Sequence, residues 1–242
     1  VKEIHPLIRF KRNSVNLVIG RRGSGKTYWT MRELLKLIEL DPTECFNYTQ
    51  IFYITDKVSD DTVKIFEPLF SKHITFKWVR TNQALQLIND LACLKATLYT
   101  DPEALDSTNP DVIKCIRALN ATHLDRNQVP HTILMFDDCI GLFKKTDSDL
   151  SKKMFENRQM RATIFLLLQD VQGVSSSMKA NVNSLMLFGG FSRLKWNSLL
   201  YCLPPVHVNY WDYQCLKSTD ALYLDFEDDT DEVISRRESS ES

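Results

Sequence analysis

The feature that most constrains the fold of this chain is a glycine-rich segment at residues 20–27, which reads GRRGSGKT. The chain has seven glycines in 242 residues, and three of them lie in this short segment. An apolar run at residues 15–19 precedes it, and apolar side chains at helical spacing follow it from Tyr28. A strand, a glycine-rich turn and a helix in this order form the context in which the pattern G-x-x-x-x-G-K-[ST] binds phosphate. The sequence therefore predicts an α/β fold with a nucleotide site at the end of the first strand.

The groups of this segment have separate predicted roles at the phosphates. Glycines let backbone N–H groups turn toward phosphate oxygens, and the start of the following helix adds partial positive charge. We expect Lys26 to bridge the β- and γ-phosphates of ATP, and Thr27 to place its hydroxyl on Mg²⁺. The predicted nucleotide-binding residues are Gly20, Arg22, Gly23, Ser24, Gly25, Lys26, Thr27 and Tyr28.

Short apolar runs alternate with longer helical patterns along most of the chain. The runs lie at residues 15–19, 51–54, 74–79, 132–136, 163–168 and 184–188, and several are apolar throughout. Such runs are typical of strands buried on both faces of a parallel sheet. Residues 28–40 read as one helix, and residues 82–129 as two helices separated by proline-containing turns. The alternation predicts a layered α/β fold with a mainly parallel central sheet.

Charge is unevenly distributed along the chain. The formal net charge is −1, but residues 225–242 hold eight acidic and two basic side chains, so the rest of the chain is mildly basic. We expect residues 1–225 to form a single domain and residues 226–242 to form an acidic, disordered tail. The mildly basic body is compatible with a polyanionic partner.

Other features exclude several protein classes. The hydrophobic content of 43% argues against a disordered or collagen-like chain. The six cysteines form no CxxC pair, which indicates neither a zinc ribbon nor a disulfide framework. We expect no transmembrane segment, because no apolar run is long enough, and no secretion, because the first residues do not resemble a signal peptide.

Two acidic residues follow the apolar run that ends at Phe136. An ATP hydrolase with a phosphate loop needs a second strand ending in a carboxylate that supports the magnesium ion. Asp137 is the predicted Mg²⁺ residue, acting directly or through water, and Asp138 is predicted to orient and polarise the attacking water. The pair favours a hydrolase over a phosphotransferase.

A glutamine ends the apolar run at residues 163–168. We predict that the Gln169 amide senses the γ-phosphate or holds the attacking water. Just upstream, Arg158 and Arg161 are candidate arginine fingers that reach the nucleotide of a neighbouring subunit, although both also fit an ordinary charged surface.

These motifs together resemble the genome-packaging ATPases of large double-stranded DNA viruses, which are found in poxviruses, giant viruses and virophages and belong to the FtsK/HerA superfamily. The similar segments are residues 17–27, residues 133–138, Arg158 with residues 163–169, and residues 178–181. The resemblance implies a three-layer P-loop NTPase fold of the ASCE/RecA-like type, with the phosphate-loop strand beside the glutamine-tipped strand.

The same resemblance implies a function and a setting. Members of this family are ring-shaped, ATP-driven translocases of double-stranded DNA that fill a capsid. It thus implies a pentameric or hexameric ring of this chain, contacts with capsid or internal-membrane proteins, and a location at viral assembly sites in the host cytoplasm or in the virion.

Contacts to DNA should be made mostly to phosphates, because a packaging motor must ignore sequence. Four lysines follow the acidic strand end within ten residues, and they equally fit a solvated helix face: Lys144, Lys145, Lys152 and Lys153. No zinc finger, basic zipper or helix-turn-helix signature indicates sequence-specific binding.

Three other functions stay open. The chain could be a P-loop phosphotransferase of the nucleoside kinase type, a helicase-like cellular ATPase, or a scaffold that binds ATP but hydrolyses it slowly. Aspartate at position 138, where many relatives use glutamate, is compatible with the last of these.

Overall fold

The computed structural model of the chain is built around one mixed sheet with helices on both faces. The structure describes residues 13–40, 48–100, 131–143, 150, 154, 160–170, 172, 174, 176–201, 209–216, 221–226 and 230–234. Its strands are β1 (Val15–Ile19), β2 (Tyr48–Ile54), β3 (Thr75–Val79), β4 (His131–Asp137), β5 (Ala162–Leu168), β6 (Ser184–Phe188), β7 (Ala221–Asp225) and β8 (Thr230–Ile234). Its α-helices are α1 (Lys26–Leu40), α2 (Asp61–Phe70), α3 (Ala84–Thr100), α4 (Ser176–Ala180), α5 (Arg193–Tyr201) and α6 (Tyr210–Gln214). Short 3₁₀ helices cover Thr81–Gln83 and Ile140–Phe143.

The eight strands of the described chain lie in the order β3-β2-β4-β5-β1-β6-β7-β8. The six strands from β3 to β6 in this order pair in parallel, and β7 and β8 continue the sheet in antiparallel fashion. The phosphate-loop strand β1 therefore pairs directly with the glutamine-tipped strand β5, which separates it from the acidic strand β4. This confirms the strand arrangement that the family resemblance implies.

Alternation of side chains along the strands produces two separate hydrophobic cores. In β1, Leu17 and Ile19 belong to one core and Val18 to the other, as expected when successive side chains point to opposite faces. The first core includes residues of α3 and α5, and the second includes residues of α1 and α2. Every residue of β1, β4, β5 and β6 is buried, which explains why apolar residues predominate on both faces of these strands. The predicted three-layer α/β architecture is confirmed.

Most predicted elements appear with small shifts at their ends. The helix predicted at residues 28–40 begins at Lys26, and the first helix predicted after residue 82 is α3. The second helix of that stretch lies outside the described residues. No helix in the described ranges is long and apolar enough to cross a membrane.

The acidic C-terminal segment departs from the sequence expectation. Residues 226–242 were expected to form a disordered tail, whereas the structure places five of them in β8, which pairs with β7 from Ala221↔Ile234 to Asp225↔Thr230. Composition alone misses this pairing, because backbone hydrogen bonds to a neighbouring strand can order a segment whatever its net charge. Strand β7, which the sequence also failed to indicate, supplies that neighbour. The limits of the domain stay a prediction.

A buried tyrosine joins α6 to the turn that follows β6. The Tyr213 hydroxyl donates to the carbonyl oxygen of Phe188 at 2.8 Å and accepts from the backbone N–H of Phe191 at 3.0 Å. Its ring stacks on Trp196 of α5 with centroids 4.6 Å apart. One side chain thus ties two short helices to the end of a sheet strand.

Replacing Tyr213 by phenylalanine should lower the free energy of unfolding by about 1–3 kcal/mol, because a buried carbonyl and a buried N–H lose their partner. Urea denaturation followed by circular dichroism measures the change. Tyr201→Phe is the matched control, since Tyr201 is 93% exposed, and it should change stability by less than about 0.5 kcal/mol. Equal stability of the two variants would contradict this role of the hydroxyl.

Candidate active site

The glycine-rich segment forms a tight loop between β1 and α1. The backbone N–H of Gly20 donates to Leu168 at the end of β5 over 3.1 Å, and that of Ser24 donates to Arg21 over 3.1 Å. Gly23 and Gly25 have φ angles of 77° and 80°, a left-handed conformation that other residues rarely adopt. The helix α1 begins immediately after this turn, so its free N–H groups face the loop. The loop therefore has the backbone geometry that an anion site at a helix N-terminus requires.

Lys26 lies folded back over this loop and is only 6% exposed. Its Nζ donates to the carbonyl oxygens of Gly20 at 2.8 Å and Arg21 at 3.3 Å. Burial lowers the pKa of Lys26, while the negative charges of Asp138 and Asp137 act in the opposite direction. The ammonium group is thus held inside the loop, near the carboxylates of Asp137, the last residue of β4, and of Asp138, which follows it.

Asp137 is the buried carboxylate of the site. The side chain is 1% exposed, and its Oδ2 accepts hydrogen bonds from Thr27 Oγ1 at 3.0 Å, from the Tyr53 hydroxyl and from Lys57 Nζ at 2.7 Å. The structure therefore brings together Thr27 and Asp137, the two residues predicted to hold magnesium. Burial and the negative charge of Asp137 raise the pKa of Tyr53 well above its ordinary range, so its hydroxyl stays a donor.

Three residues of this cluster were not found from the sequence: Tyr53, Lys57 and Asp60. Asp60 caps the N-terminus of α2, where its Oδ1 accepts from the Thr62 N–H at 3.0 Å. Its Oδ2 accepts from Lys57 Nζ at 3.3 Å and lies 3.2 Å from the Tyr53 hydroxyl, whose single proton is shared with the shorter contact to Asp137. The sequence does contain a signal that polar residues of the site follow β2. Polar residues come after the predicted strand at 51–54, just as Asp137 and Asp138 come after the predicted strand at 132–136.

Asp138 and Gln169 lie at the ends of adjacent strands and are hydrogen-bonded to each other. The Gln169 Nε2 donates to Asp138 Oδ1 at 3.2 Å, and both side chains are exposed. Asp138 has a φ of 56°, and its backbone N–H donates to Leu167 of β5 at 3.0 Å. Aspartate tolerates this left-handed conformation better than most residues. The turn places the Asp138 carboxylate and the Gln169 amide side by side at the solvent edge of the site.

The residues present suit a magnesium ion. Thr27 and Asp137 offer hydroxyl and carboxylate oxygens, the hard ligands that Mg²⁺ prefers. Within the described ranges, no group of three or more His, Cys, Asp or Glu side chains could hold a metal. Mg²⁺ bound here would therefore take its other ligands from water and phosphate, as is usual for this ion.

The remaining predicted nucleotide residues are more exposed. Arg22 and Tyr28 both lie on the surface beside the loop, and the Tyr28 ring packs edge-on against Phe66 of α2 at 5.3 Å. This contact joins the two helices that flank the site.

The predicted arginines and lysines do not join this cluster. Arg161 immediately precedes β5, whereas Gln169 follows its other end, so about seven strand residues, or roughly 20 Å, separate them. The φ of Arg161 is 47°, and its carbonyl oxygen accepts from Thr132 at 3.0 Å. Arg161 therefore lies at the amino ends of the parallel strands, whereas the phosphate loop of the same chain lies at their carboxyl ends. Five other predicted residues lie outside the described ranges: Arg158, Lys144, Lys145, Lys152 and Lys153.

Comparisons with known proteins find similarity in structure. No protein-family model matches the sequence, and curated protein sequences give no significant match. The DNA-packaging ATPase B204 from Sulfolobus turreted icosahedral virus is similar with a TM-score of 0.60 and 12% identity, over 93% of this chain and 98% of that chain. The genome packaging NTPase B204 from Sulfolobus turreted icosahedral virus 2, in complex with ATP-γS, is similar with a TM-score of 0.57 and 12% identity. The match covers 95% of this chain and 98% of that chain.

A bacterial protein shares the fold as well. The cytoplasmic domain of the type VII secretion ATPase EccC from Thermomonospora curvata gives a TM-score of 0.54 and 13% identity, over 91% of this chain and 25% of that chain. At such identities the likeness shows the fold, which is that of P-loop NTPases. It agrees with the viral packaging resemblance at the level of structure.

Replacing Gly20 by alanine should destabilise the loop, because the added Cβ would lie 2.5 Å from Ser24 Oγ and 3.0 Å from Phe188 Cβ. We expect the free energy of unfolding to fall by about 1–3 kcal/mol in urea denaturation, as overpacking usually costs. Gly141→Ala is the control, since a Cβ there meets nothing within 4 Å, and it should stay within about 0.5 kcal/mol of the original chain. A stable Gly20→Ala chain would show that the loop adapts freely.

Cys139 should be nearly inert toward alkylation at pH 8. Burial, followed by the charge of Asp137, raises the pKa of Cys139 to about 12, and its thiol contacts the carbonyl oxygens of Ile54 and Asp137. Iodoacetamide labelling read by mass spectrometry should be at least about 100-fold slower at Cys139 than at the exposed Cys93 and Cys215. In urea the three rates should converge, and equal rates in the folded chain would contradict this assignment.

The raised pKa of Cys139 also makes the stability of the fold depend on pH in the alkaline range. The unfolded thiol loses its proton near its ordinary pKa of 9.0, but the folded thiol does so near 12. The contribution of Cys139 to stability is therefore complete below pH 9 and is lost as the pH rises toward 12.

Proposed function

We propose that this chain is a magnesium-dependent ATPase that drives double-stranded DNA into a viral capsid. One observation carries the ATPase part of the proposal. The phosphate loop with Lys26, the Thr27–Asp137 pair and the Asp138–Gln169 pair meet at the carboxyl edge of the parallel sheet. Ligands of open α/β sheets bind at this edge.

The loop and Lys26 would bind the phosphates of ATP. Lys26 now donates to Gly20 and Arg21, and a phosphate oxygen entering the loop can replace these carbonyl oxygens as acceptor. A charged donor held in a buried loop stabilises negative charge more strongly than one in water. Bound Mg²⁺ would act as a Lewis acid on the phosphates, with Thr27 and Asp137 as the residues that hold it.

Asp138 and Gln169 would act on the attacking water. The Asp138 carboxylate is exposed and can accept a proton from water, while the Gln169 amide offers both a donor and an acceptor. Their mutual hydrogen bond fixes the carboxylate and the amide relative to each other. This arrangement supports hydrolysis over transfer to a second nucleotide.

The DNA-packaging part of the proposal rests on the family resemblance and on the similar fold. The similar viral proteins are described as genome-packaging ATPases, and each is covered almost completely by this chain. We propose a homo-oligomeric ring of five or six subunits that contacts DNA phosphates without sequence preference. Arg158 or Arg161 would complete the site of the next subunit, which fits the position of Arg161 far from its own loop.

The setting is proposed on the same basis. The ring would contact capsid or internal-membrane proteins at viral assembly sites in the host cytoplasm or in the virion. The DNA-contacting residues would be the four lysines after β4, namely Lys144, Lys145, Lys152 and Lys153.

Purified protein should release phosphate from ATP in a Mg²⁺-dependent reaction that double-stranded DNA stimulates. Lys26→Ala should lower kcat/KM by roughly 10²–10³-fold or more, because charge on the phosphates loses its buried donor. Asp138→Asn should lower kcat by roughly 10²–10⁴-fold with little change in ATP affinity, because the water loses its base. A coupled phosphate-release assay and a fluorescent-nucleotide titration measure these changes.

Asp61→Asn is the matched control, because Asp61 is 95% exposed and contacts only Lys64 among the interactions described. It should keep full activity. Phosphate transfer to an added nucleoside without a response to DNA would favour a phosphotransferase. ATP binding without hydrolysis would favour a scaffold. ATP hydrolysis at the same rate with and without DNA would support the ATPase activity but contradict the packaging role.

A further inference from the structure

Lys57 belongs to no recognised motif, yet it lies at the centre of the carboxylates of the site. It follows β2, whose Ile54 pairs with Phe136 of β4, so the end of β2 lies next to Asp137. Its Nζ lies 2.7 Å from Asp137, 3.3 Å from Asp60 and 3.9 Å from Asp138. Burial alone would lower the pKa of Lys57, but the hydrogen bond to Asp137 and the three negative charges raise it, so the group is charged at neutral pH.

The backbone around Lys57 is fixed, whereas its side chain has room to move. Arg80 donates to the carbonyl oxygens of Asp56 and Lys57, each at 2.9 Å, and the N–H of Lys57 donates to Thr55 Oγ1 at 3.3 Å. The Lys57 side chain is 35% exposed, unlike Asp137. The ammonium group can therefore shift between carboxylates without a change in the loop.

Lys57 and Thr27 both contact the same carboxylate oxygen, Oδ2 of Asp137. A divalent cation between Thr27 and Asp137 would lie within a few ångströms of the Lys57 ammonium, and like charges at that distance repel. Carboxylate oxygens of Asp60 and Asp138 also lie near the ammonium, at 3.3 Å and 3.9 Å from Nζ. The Lys57 ammonium can therefore leave Asp137 and still contact two carboxylates.

We propose that Lys57 is a positioning residue: it neutralises the buried Asp137 while no metal ion is bound, and it withdraws to Asp60 and Asp138 when magnesium and nucleotide bind. This inference rests on the proposed function, because it assumes that magnesium binds at Thr27 and Asp137. It assigns Lys57 a role in preparing the metal site and not in the chemical step.

Thermal unfolding of Lys57→Met with and without magnesium tests the proposal. In EDTA the melting temperature should fall by about 5 °C, because a buried carboxylate loses its cationic partner. In saturating Mg²⁺ and ADP the loss should be less than half as large, because the metal ion then supplies the positive charge. Lys57→Arg should stay close to the original chain in both conditions, since the charge is kept.

Lys64→Met is the matched control, because Lys64 pairs with Asp61 on the exposed side of α2. It should change neither melting temperature. A second readout is the Mg²⁺ concentration that half-saturates binding of a fluorescent ADP analogue. Lys57→Met should bind Mg²⁺ roughly three- to tenfold more tightly, because a competing positive charge is gone.

Two results would overturn the proposal. An equal loss of melting temperature in EDTA and in Mg²⁺ with ADP would show that Lys57 serves only the structure, and weaker Mg²⁺ binding by Lys57→Met would show that it supports the metal-bound state. Failure of the ATPase proposal looks different. In that case the original chain itself would show no shift of melting temperature on addition of Mg²⁺ and ADP.

Discussion

One carboxylate oxygen, Oδ2 of Asp137, connects the parts of the site. A buried carboxylate is stable only when donors or positive charges surround it, and here the donors come from three places: Thr27 at the start of α1, Tyr53 in β2 and Lys57 after β2. Thr27 reaches this oxygen across the end of β5, which lies between β1 and β4. The phosphate loop and the acidic strand are therefore held together by side-chain contacts even though their strands do not pair.

The sequence predicted the central part of this arrangement well. The loop residues need glycine at two positive-φ positions, and the buried strands need apolar residues on both faces, so each leaves a local pattern that can be read directly. Asp137 and Asp138 could be predicted because they end such a strand.

Lys57 and Asp60 were missed for a physical reason. Their importance depends on which strand lies next to β4, and that neighbour is β2, which lies about 80 residues earlier in the sequence. The polar residues that follow the predicted strand at 51–54 mark the end of a strand, but they do not show that β4 is its neighbour. Strand β8 was missed in the same way, because it is a strand through its hydrogen bonds to β7, which its own composition does not indicate. Local chemistry was thus readable from the sequence, whereas contacts between distant segments were not.

The acidic strand β8 also has a consequence for how copies of this chain can meet. β8 is an edge of the described sheet, and an edge strand offers unpaired backbone groups to any other strand. β3 is the other edge of this sheet, so two strands of the described chain could each pair with a strand of another molecule. The candidate site lies at the carboxyl ends of the central strands β1, β4 and β5, so a strand added at either edge of the sheet would leave these strand ends uncovered.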